Sequence, residues 1–381
     1  MAADPAAGTM SFGRAFRATW ATVLASRTLL STMLLAVVLY AFYYPAPYSQ
    51  EVAQQLPVVL VDEDASALSR ELVRDLEATR AVVVVDRAPG VAEAQAALRA
   101  GKADGVVLIA RGLERQLRTG APGAGIAVWV NASYLLRAST IGEAVTEVLR
   151  HLAVEKLAVL GQIVRGGPPV TVIREPLFNP TAGYKGYVFP AVAIVIVQQT
   201  LLFGAATFMG GRRSQGSWRM GRAEYLGTWA AFASVGICTC LFLFGFIFWV
   251  QGIPRDENVG GMLFATPLLS AAVAGLGLWL GSFFDRSERA MVILGPTSAP
   301  FFFLSGTAWP LDQMPRFVQL LAQAIPSTSG VHVFVPLNQM HATLADVAPG
   351  LAILSGLGLL YGGLGWQRIA RHGGRPPAQN V

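Results

Sequence analysis

The sequence predicts a polytopic α-helical membrane protein with six transmembrane helices and an α/β domain inserted outside the cytoplasm between the first two. Three observations carry that expectation. Residues 186–211 and 225–254 are each free of charged side chains, and about 20 apolar residues suffice to cross the hydrocarbon core as a helix. The link between them holds Arg212, Arg213, Arg219 and Arg222. Lys and Arg collect in cytoplasmic loops, so the two runs read as a hairpin with its turn inside. Residues 46–185 differ in texture, with short apolar runs alternating with helical periodicity. Composition agrees: only 14% of the 381 residues are charged and 53% are hydrophobic, against about 25% charged in a soluble domain. Mean hydropathy is +0.49.

Taken in order, residues 1–27 form a cytoplasmic segment. Phe12, Phe16, Trp20 and Val23 recur at helical spacing there, with Arg14 and Arg17 between them. That pattern suits an amphipathic helix lying in the membrane surface. Residues 28–45 are the first crossing. The run ends in Tyr40, Phe42, Tyr43, Tyr44 and Pro45, an interfacial aromatic cluster rather than the small-residue cleavage site of a signal peptide. In residues 46–185, strands are expected at 57–61, 81–85, 105–109 and 126–130, with helices at 66–79, 91–100 and 113–118. Strands alternating with helices suggest a partly parallel sheet. A long helix at 133–165 stops at Gly166, Gly167, Pro168 and Pro169, and 170–173 returns as a last strand. The remaining crossings are 186–209, 225–251, 260–284, 290–308 and 347–367, with the link 210–224 and the tail 368–381 inside. Residues 309–345 are neither loop nor clean span; they read as short helices dipping back into the outer leaflet. Irregular backbone at that depth is tolerated where protein buries it or where it lines a cavity.

Chemistry is mostly absent. No phosphate-binding loop exists: Gly101-Lys102 is followed by Ala103, which lacks the hydroxyl that binds magnesium. His151, His332, His341 and His372 are scattered without metal spacing. Asp62, Asp64 and Ser66 begin like a calcium loop, but Ala67 and Val73 stand where Gly and Glu are needed, so an acidic turn at a strand end is the reading. Ser327, Ser329 and His332 lack a third, orienting group for nucleophilic catalysis. Cys238 and Cys240 lie too close, on different helix faces, to bridge. No cofactor is expected. The net charge of +6 is largely Arg beside the apolar runs, and no aromatic-basic interleaving points to nucleic acid. Ionisable side chains are nearly missing from the spans, unlike a proton-coupled carrier. Gln198 and Gln199, midway along the second span, are its strongly polar side chains. They either bond between helices or touch a substrate.

Local marks then bear on the family. Phe178-Asn179-Pro180 is followed by Tyr187, Phe189 and Pro190 at the mouth of the second span. Ser305-Gly306, Trp309-Pro310-Leu311 and Met314-Pro315 follow the fifth, with Ile325-Pro326 after them. In order and spacing, over nearly the whole chain, this resembles the membrane subunit of ABC-2 type exporters, in the subgroup with a large extracytoplasmic domain between the first and second crossings. One element departs. Where the family carries an acidic Glu-x-Gly-Thr-like motif, this chain reads Arg213-Ser214-Gln215-Gly216-Ser217.

The resemblance implies a permease rather than an enzyme, in a bacterial inner membrane with both termini cytoplasmic. It implies a second permease copy or paralogue as a homo- or heterodimer partner, a separate ABC ATPase, and room for a periplasmic adaptor. The ATPase would dock on the amphipathic helix and on Arg212, Arg213, Gln215, Gly216, Ser217 and Trp218 of the link; the two arginines could equally meet anionic lipid heads. Gln198, Gln199, Ser305 and Trp309 would belong to the translocation path or its gate. A different class remains open: a membrane-anchored receptor or envelope assembly scaffold whose outer domain binds a partner.

Overall fold

The computed structural model describes residues 10–48, 53–115, 125–130, 135–159, 183–216, 218–253 and 258–372. It divides into two compact units, one formed by Met1–Ser49 with Pro176–Val381, the other by Gln50–Glu175.

The first unit is helical. Among the described residues, five helices are long and apolar enough to cross a membrane: Arg27–Tyr48, Tyr184–Ser214, Arg222–Val250, Val259–Gly281 and Ala348–Arg371. The second of these is almost wholly enclosed by the others, with 94% of its apolar window buried. The fourth packs against the second, third and last. Lipid tails are as apolar as leucine, so spans associate by close packing of small residues. A Cβ on Gly281 would lie 2.6 Å from Cα of Ala206, and one on Gly277 2.7 Å from Cβ of Ala205. The backbones of the second and fourth spans therefore approach closely at two points, about one helical turn apart.

The fifth apolar run differs from the expected continuous crossing at 290–308. It is helical in three pieces, Ser287–Leu294, a 3₁₀ turn at Gly295–Thr297, and Ser298–Leu304. Pro296 brings no N–H to the ladder and Gly295 adds backbone freedom, so the helix breaks there. The run after it forms Arg316–Gln323 and Pro326–Gln339, bent by 82° across Ala324 and Ile325. The count is thus five continuous apolar helices, or six if that bent pair is taken as one span.

The N-terminal helix, Phe12–Ala25, buries Val23 and half-buries Trp20 of the expected stripe, but turns Ala15 and Thr19 inward ahead of Phe12 and Phe16. Ala15, Thr19 and Val23 are buried, and the Trp20 indole N–H donates to Ser234 Oγ at 2.9 Å. The helix lies against the first half of the third span, with Phe12 left half-exposed. Small residues win because Ala15 and the backbone at Phe12 fit against Gly227. Ser26 ends this helix in an extended conformation, and its hydroxyl accepts from Leu29 N–H to start the first span.

The second unit is an α/β fold. Its elements run β1 (Leu56–Asp62), α1 (Ala67–Ala78), β2 (Val82–Arg87), α2 (Val91–Arg99), β3 (Gly105–Ile109), β4 (Ile126–Val130) and α3 (Leu135–Val159). The sheet order is β2-β1-β3-β4; β1 pairs parallel with β2 and β3, and β3 pairs antiparallel with β4. Val58 and Leu60 face a core with Leu72, Leu76, Ile141 and Val145. Val59 and Val61 face the other side with Ala94 and Val106. A strand covered on both faces reads as an unbroken apolar run, as β1 does. The strand expected at 170–173 and the ends of the long helix expected at 133–165 lie outside the described residues.

The acidic turn after β1 is satisfied by backbone donors rather than arranged around a cation. Asp62 Oδ1 accepts from Asp64 N (3.1 Å) and Ala65 N (2.9 Å), and Oδ2 accepts from Ser69 Oγ (2.8 Å). Asp64 accepts from Gly112 N at 2.7 Å and Glu114 N at 3.2 Å. Among the described residues no group of three metal-capable side chains forms. Burial raises the Asp64 pKa, but hydrogen bonds from Ser66 and from the backbone of Gly112, Glu114 and Leu113 outweigh it and hold the carboxyl below its ordinary value.

Residues 50–175 expressed alone should melt cooperatively, since the unit has its own two-faced core. A depressed folded pKa contributes stability above the unfolded value of about 3.9 and loses it as pH falls through the folded value. Asp64→Asn should therefore cost ~1 kcal/mol near neutrality, and the gap from wild type should close on acidification. Denaturant melts between pH 7 and pH 2 read both; a gap that stays constant over that range would contradict the assignment.

Candidate coupling and translocation sites

The arginine-rich end of the helical unit joins segments far apart in sequence. The second span runs on to Ser214, and the chain turns at Gly216 with φ +70°. Gly210 lies directly on the link after the fourth span: a Cβ there would come 2.6 Å from the Arg286 carbonyl oxygen. Ser287 Oγ donates to the Thr207 carbonyl at 3.2 Å. Arg213 donates to the Ser282 carbonyl at 3.0 Å, and its guanidinium sits 5.0 Å from the Trp218 ring. Arg368, near the end of the last span, stacks on Phe283 at 3.7 Å.

The expected docking residues therefore split into two groups. Trp218 is only 4% exposed. Arg212 pairs with Glu224 at 2.8 Å, with side chains 23% and 11% exposed. Arg212, Arg213 and Trp218 thus turn inward and hold the link in shape. Ser214, Gln215, Gly216 and Arg219 remain exposed at its tip, and Ser217 lies outside the described residues. Sequence spacing does not distinguish these directions, because the partners of Arg212 and Arg213 come from the third and fourth spans.

A second polar set closes the helix breaks. Helix ends leave backbone donors and acceptors without partners, and among apolar neighbours each open group is costly. At the 82° bend, Ser327 N donates to Gln198 Oε1 at 2.7 Å. The Ala324 carbonyl accepts from Tyr361 OH at 2.6 Å. Thr328 Oγ1 donates to the Leu304 carbonyl at 3.1 Å, meeting the end of the broken fifth helix. Gln199 Nε2 reaches Ser298 Oγ at 2.7 Å, one residue beyond the Gly295–Thr297 break. Gln339 Nε2 donates to the Gly186 carbonyl at 3.0 Å, and Tyr187 OH to the Thr307 carbonyl at 2.8 Å.

Gln198, Gln199, Ser305 and Trp309 do not converge on one point. Gln198 caps the bent pair and Gln199 ties the broken helix. Ser305 is fully buried, its hydroxyl donating to the Phe302 carbonyl at 2.6 Å. Trp309 is 59% exposed. The buried hydroxyls of Ser327 and Ser329 have no hydrogen-bond partner, so neither is activated by His332. Sequence reading missed Ser298, Thr328, Gln339 and Tyr361. Ser298 was detectable as a polar residue just past Gly295-Pro296; the others needed their distant partners. Phe178, Asn179 and Pro180 lie outside the described residues.

Long apolar helices, one broken run and one bent pair make this a multi-pass membrane protein. The chain belongs to the ABC-2 family transporter proteins, whose family model matches residues 26–366. It is similar to the "Probable multidrug ABC transporter permease YbhR" of Escherichia coli K12 and to the protein of the same name in Escherichia coli O157:H7. Each match is 22% identical over 158 residues, covering 39% of this chain and 42% of the relative. The matched stretch thus spans less than half of either relative's length.

Trp218→Ala should open the core of the link and lower stability by ~3 kcal/mol. Arg219→Ala, at the exposed tip, should change it by less than ~0.5 kcal/mol. Thermal melts of the solubilised protein in a Cys238→Ser background, followed by a thiol-reactive dye that reports exposure of buried Cys240, separate the two. Equal melting of both variants would mean that Trp218 does not carry the packing described.

Proposed function

We propose that the chain is the membrane-spanning permease of an ATP-driven exporter, working as a dimer with a second copy or paralogue and driven by a separate ABC ATPase. The observation that carries the reading is the tied arginine-rich end. The N-terminal helix is bonded there to the third span, the two links touch each other, and the last span stacks on the second link, while Ser214–Gly216 project as an exposed tip. A partner pressing on that tip displaces the second and third spans together. Through Gly210 and Arg286 the same displacement reaches the fourth span and the broken fifth helix. The first span leaves Leu35, Leu39 and Tyr43 at 64%, 60% and 68% exposure, and the broken helix leaves Val292 at 73%. These faces suit a second permease and lipid.

In this reading the arginine-rich end is cytoplasmic, as the positive-inside rule requires. Both termini lie inside and the α/β unit lies outside a bacterial cytoplasmic membrane, where a periplasmic adaptor has access to it.

Two experiments test the proposal. In a background lacking Cys238 and Cys240, a membrane-impermeant thiol reagent should label a cysteine placed at Ala100 and leave one at Gly216 untouched. The reverse pattern would overturn the orientation. The purified chain alone should turn over no ATP, because it has no phosphate loop. Reconstituted with its ATPase, it should support substrate-stimulated hydrolysis that Gly216→Val at the tip reduces at least about tenfold. Unchanged stimulation in that variant would place the motor's grip elsewhere.

A further inference from the structure

Charge does not balance at the arginine-rich end. Residues 210–224, 282–289 and 366–372 hold eight arginines against three carboxylates. Two of the carboxylates are engaged: Glu224 lies 2.8 Å from Arg212, and Asp285 3.0 Å from Arg289. The third, Glu288, is exposed. Arg213 meets no carboxylate among the described residues. One arm of its guanidinium donates to the Ser282 carbonyl at 3.0 Å, and the group lies 5.0 Å from the Trp218 ring. Its Nε is buried with no hydrogen-bond partner.

The last span brings a second guanidinium to the same two residues of the link after the fourth span. Arg368 stacks on Phe283, 3.7 Å from the ring centre, next to the Ser282 that Arg213 holds. The two positive charges are close enough to repel one another. Like charges at this range raise each other's cost, and a donor withdrawn from water needs an acceptor. An anion that spans both guanidiniums relieves both costs, and phosphate oxygens match the guanidinium fork. The surroundings are apolar. Phe283 is 49% exposed and continues into Trp279, 5.8 Å away ring to ring. Leu360, about two turns before Arg368 on the last span, is 51% exposed. A basic pocket between spans, opening onto such a lane, suits a lipid headgroup with its acyl chain; a protein carboxylate makes no use of the lane.

From this arrangement we infer that Arg213, Arg368 and the Ser282-Phe283 link form a site for one anionic phospholipid. Its phosphate lies across the two guanidiniums, and an acyl chain follows Phe283 and Leu360. The inference goes beyond the permease reading. It concerns a resident lipid that ties the second, fourth and last spans together, not a transported molecule, and it holds for either orientation of the chain.

The test is native mass spectrometry of the full-length protein in detergent, titrated with phosphatidylglycerol, phosphatidylcholine or inorganic phosphate. One phosphatidylglycerol should stay bound, about tenfold tighter than phosphatidylcholine, and excess inorganic phosphate should not displace it. Arg368→Gln should abolish that preference. Arg219→Gln, at the exposed tip, should leave it within about twofold. Arg213→Gln also removes the bond to Ser282 and so disturbs the link itself. Arg368→Lys is the companion variant: it keeps the charge but loses the planar fork, and it should retain only part of the preference.

Four results would overturn the site. Equal binding of the two lipids removes the charge argument. Equal loss of preference in Arg219→Gln and Arg368→Gln assigns it to the basic surface as a whole. Displacement by inorganic phosphate makes this a site for a free anion. Exclusion of the lipid when an ATPase is added gives the arginine pair to that protein.

Discussion

Backbone groups freed at a helix break cannot turn to water when their neighbours are apolar, and the helical unit is arranged around that constraint. Its fifth run is interrupted at Gly295–Thr297, and the next pair of helices bends by 82°. At the bend and at the end of the fifth run, Gln198, Tyr361 and Thr328 reach in to meet freed backbone groups; at Gly295–Thr297 the local hydroxyls of Thr297 and Ser298 do so, and Gln199 bonds Ser298 Oγ. The second span supplies the two glutamines because it is the helix surrounded on all sides. Its close approach to the fourth span at Gly277 and Gly281 is what brings the broken and bent segments within reach.

The arginine-rich end follows a related rule for charge. A guanidinium or carboxylate withdrawn from water needs a partner at hydrogen-bond distance. Arg212 finds Glu224, and Arg213 finds the Ser282 carbonyl and the Trp218 ring. These contacts cross between spans, so they stiffen the end instead of decorating it. Gln215 at the tip carries no charge, and the carboxylate that meets Arg212 comes from Glu224 at the start of the third span. The packing of the N-terminal helix on Gly227 and Thr228 completes the same block.

Much of this architecture is legible in the amino-acid sequence. The sheet unit could be read strand by strand because β1 is covered on both faces and β3 and β4 sit between clear turn residues. The spans followed from charge-free length. What could not be read was direction and partnership. Trp218 is a large amphipathic side chain in a polar link, and its turn inward depends on Arg213, five residues before it. The role of Gln198 depends on Ser327, 129 positions away. The fifth run looked continuous by hydropathy, although Gly295-Pro296 carried the local chemistry of a break. Phe12 and Phe16 carry the stronger helical signal in the sequence, although the smaller Ala15 and Thr19 make the contact.

Gln198 and Gln199 are neighbours on one rigid helix, about 100° apart around its axis. One holds the bent pair and the other the broken helix. Any roll of the second span about its axis swings both side chains at once, by the same angle and in the same sense. Their two bonds are therefore kinematically coupled: a rotation large enough to release one also strains the other. Displacing either the bent pair or the broken helix alone, with the second span fixed, stretches a hydrogen bond in apolar surroundings.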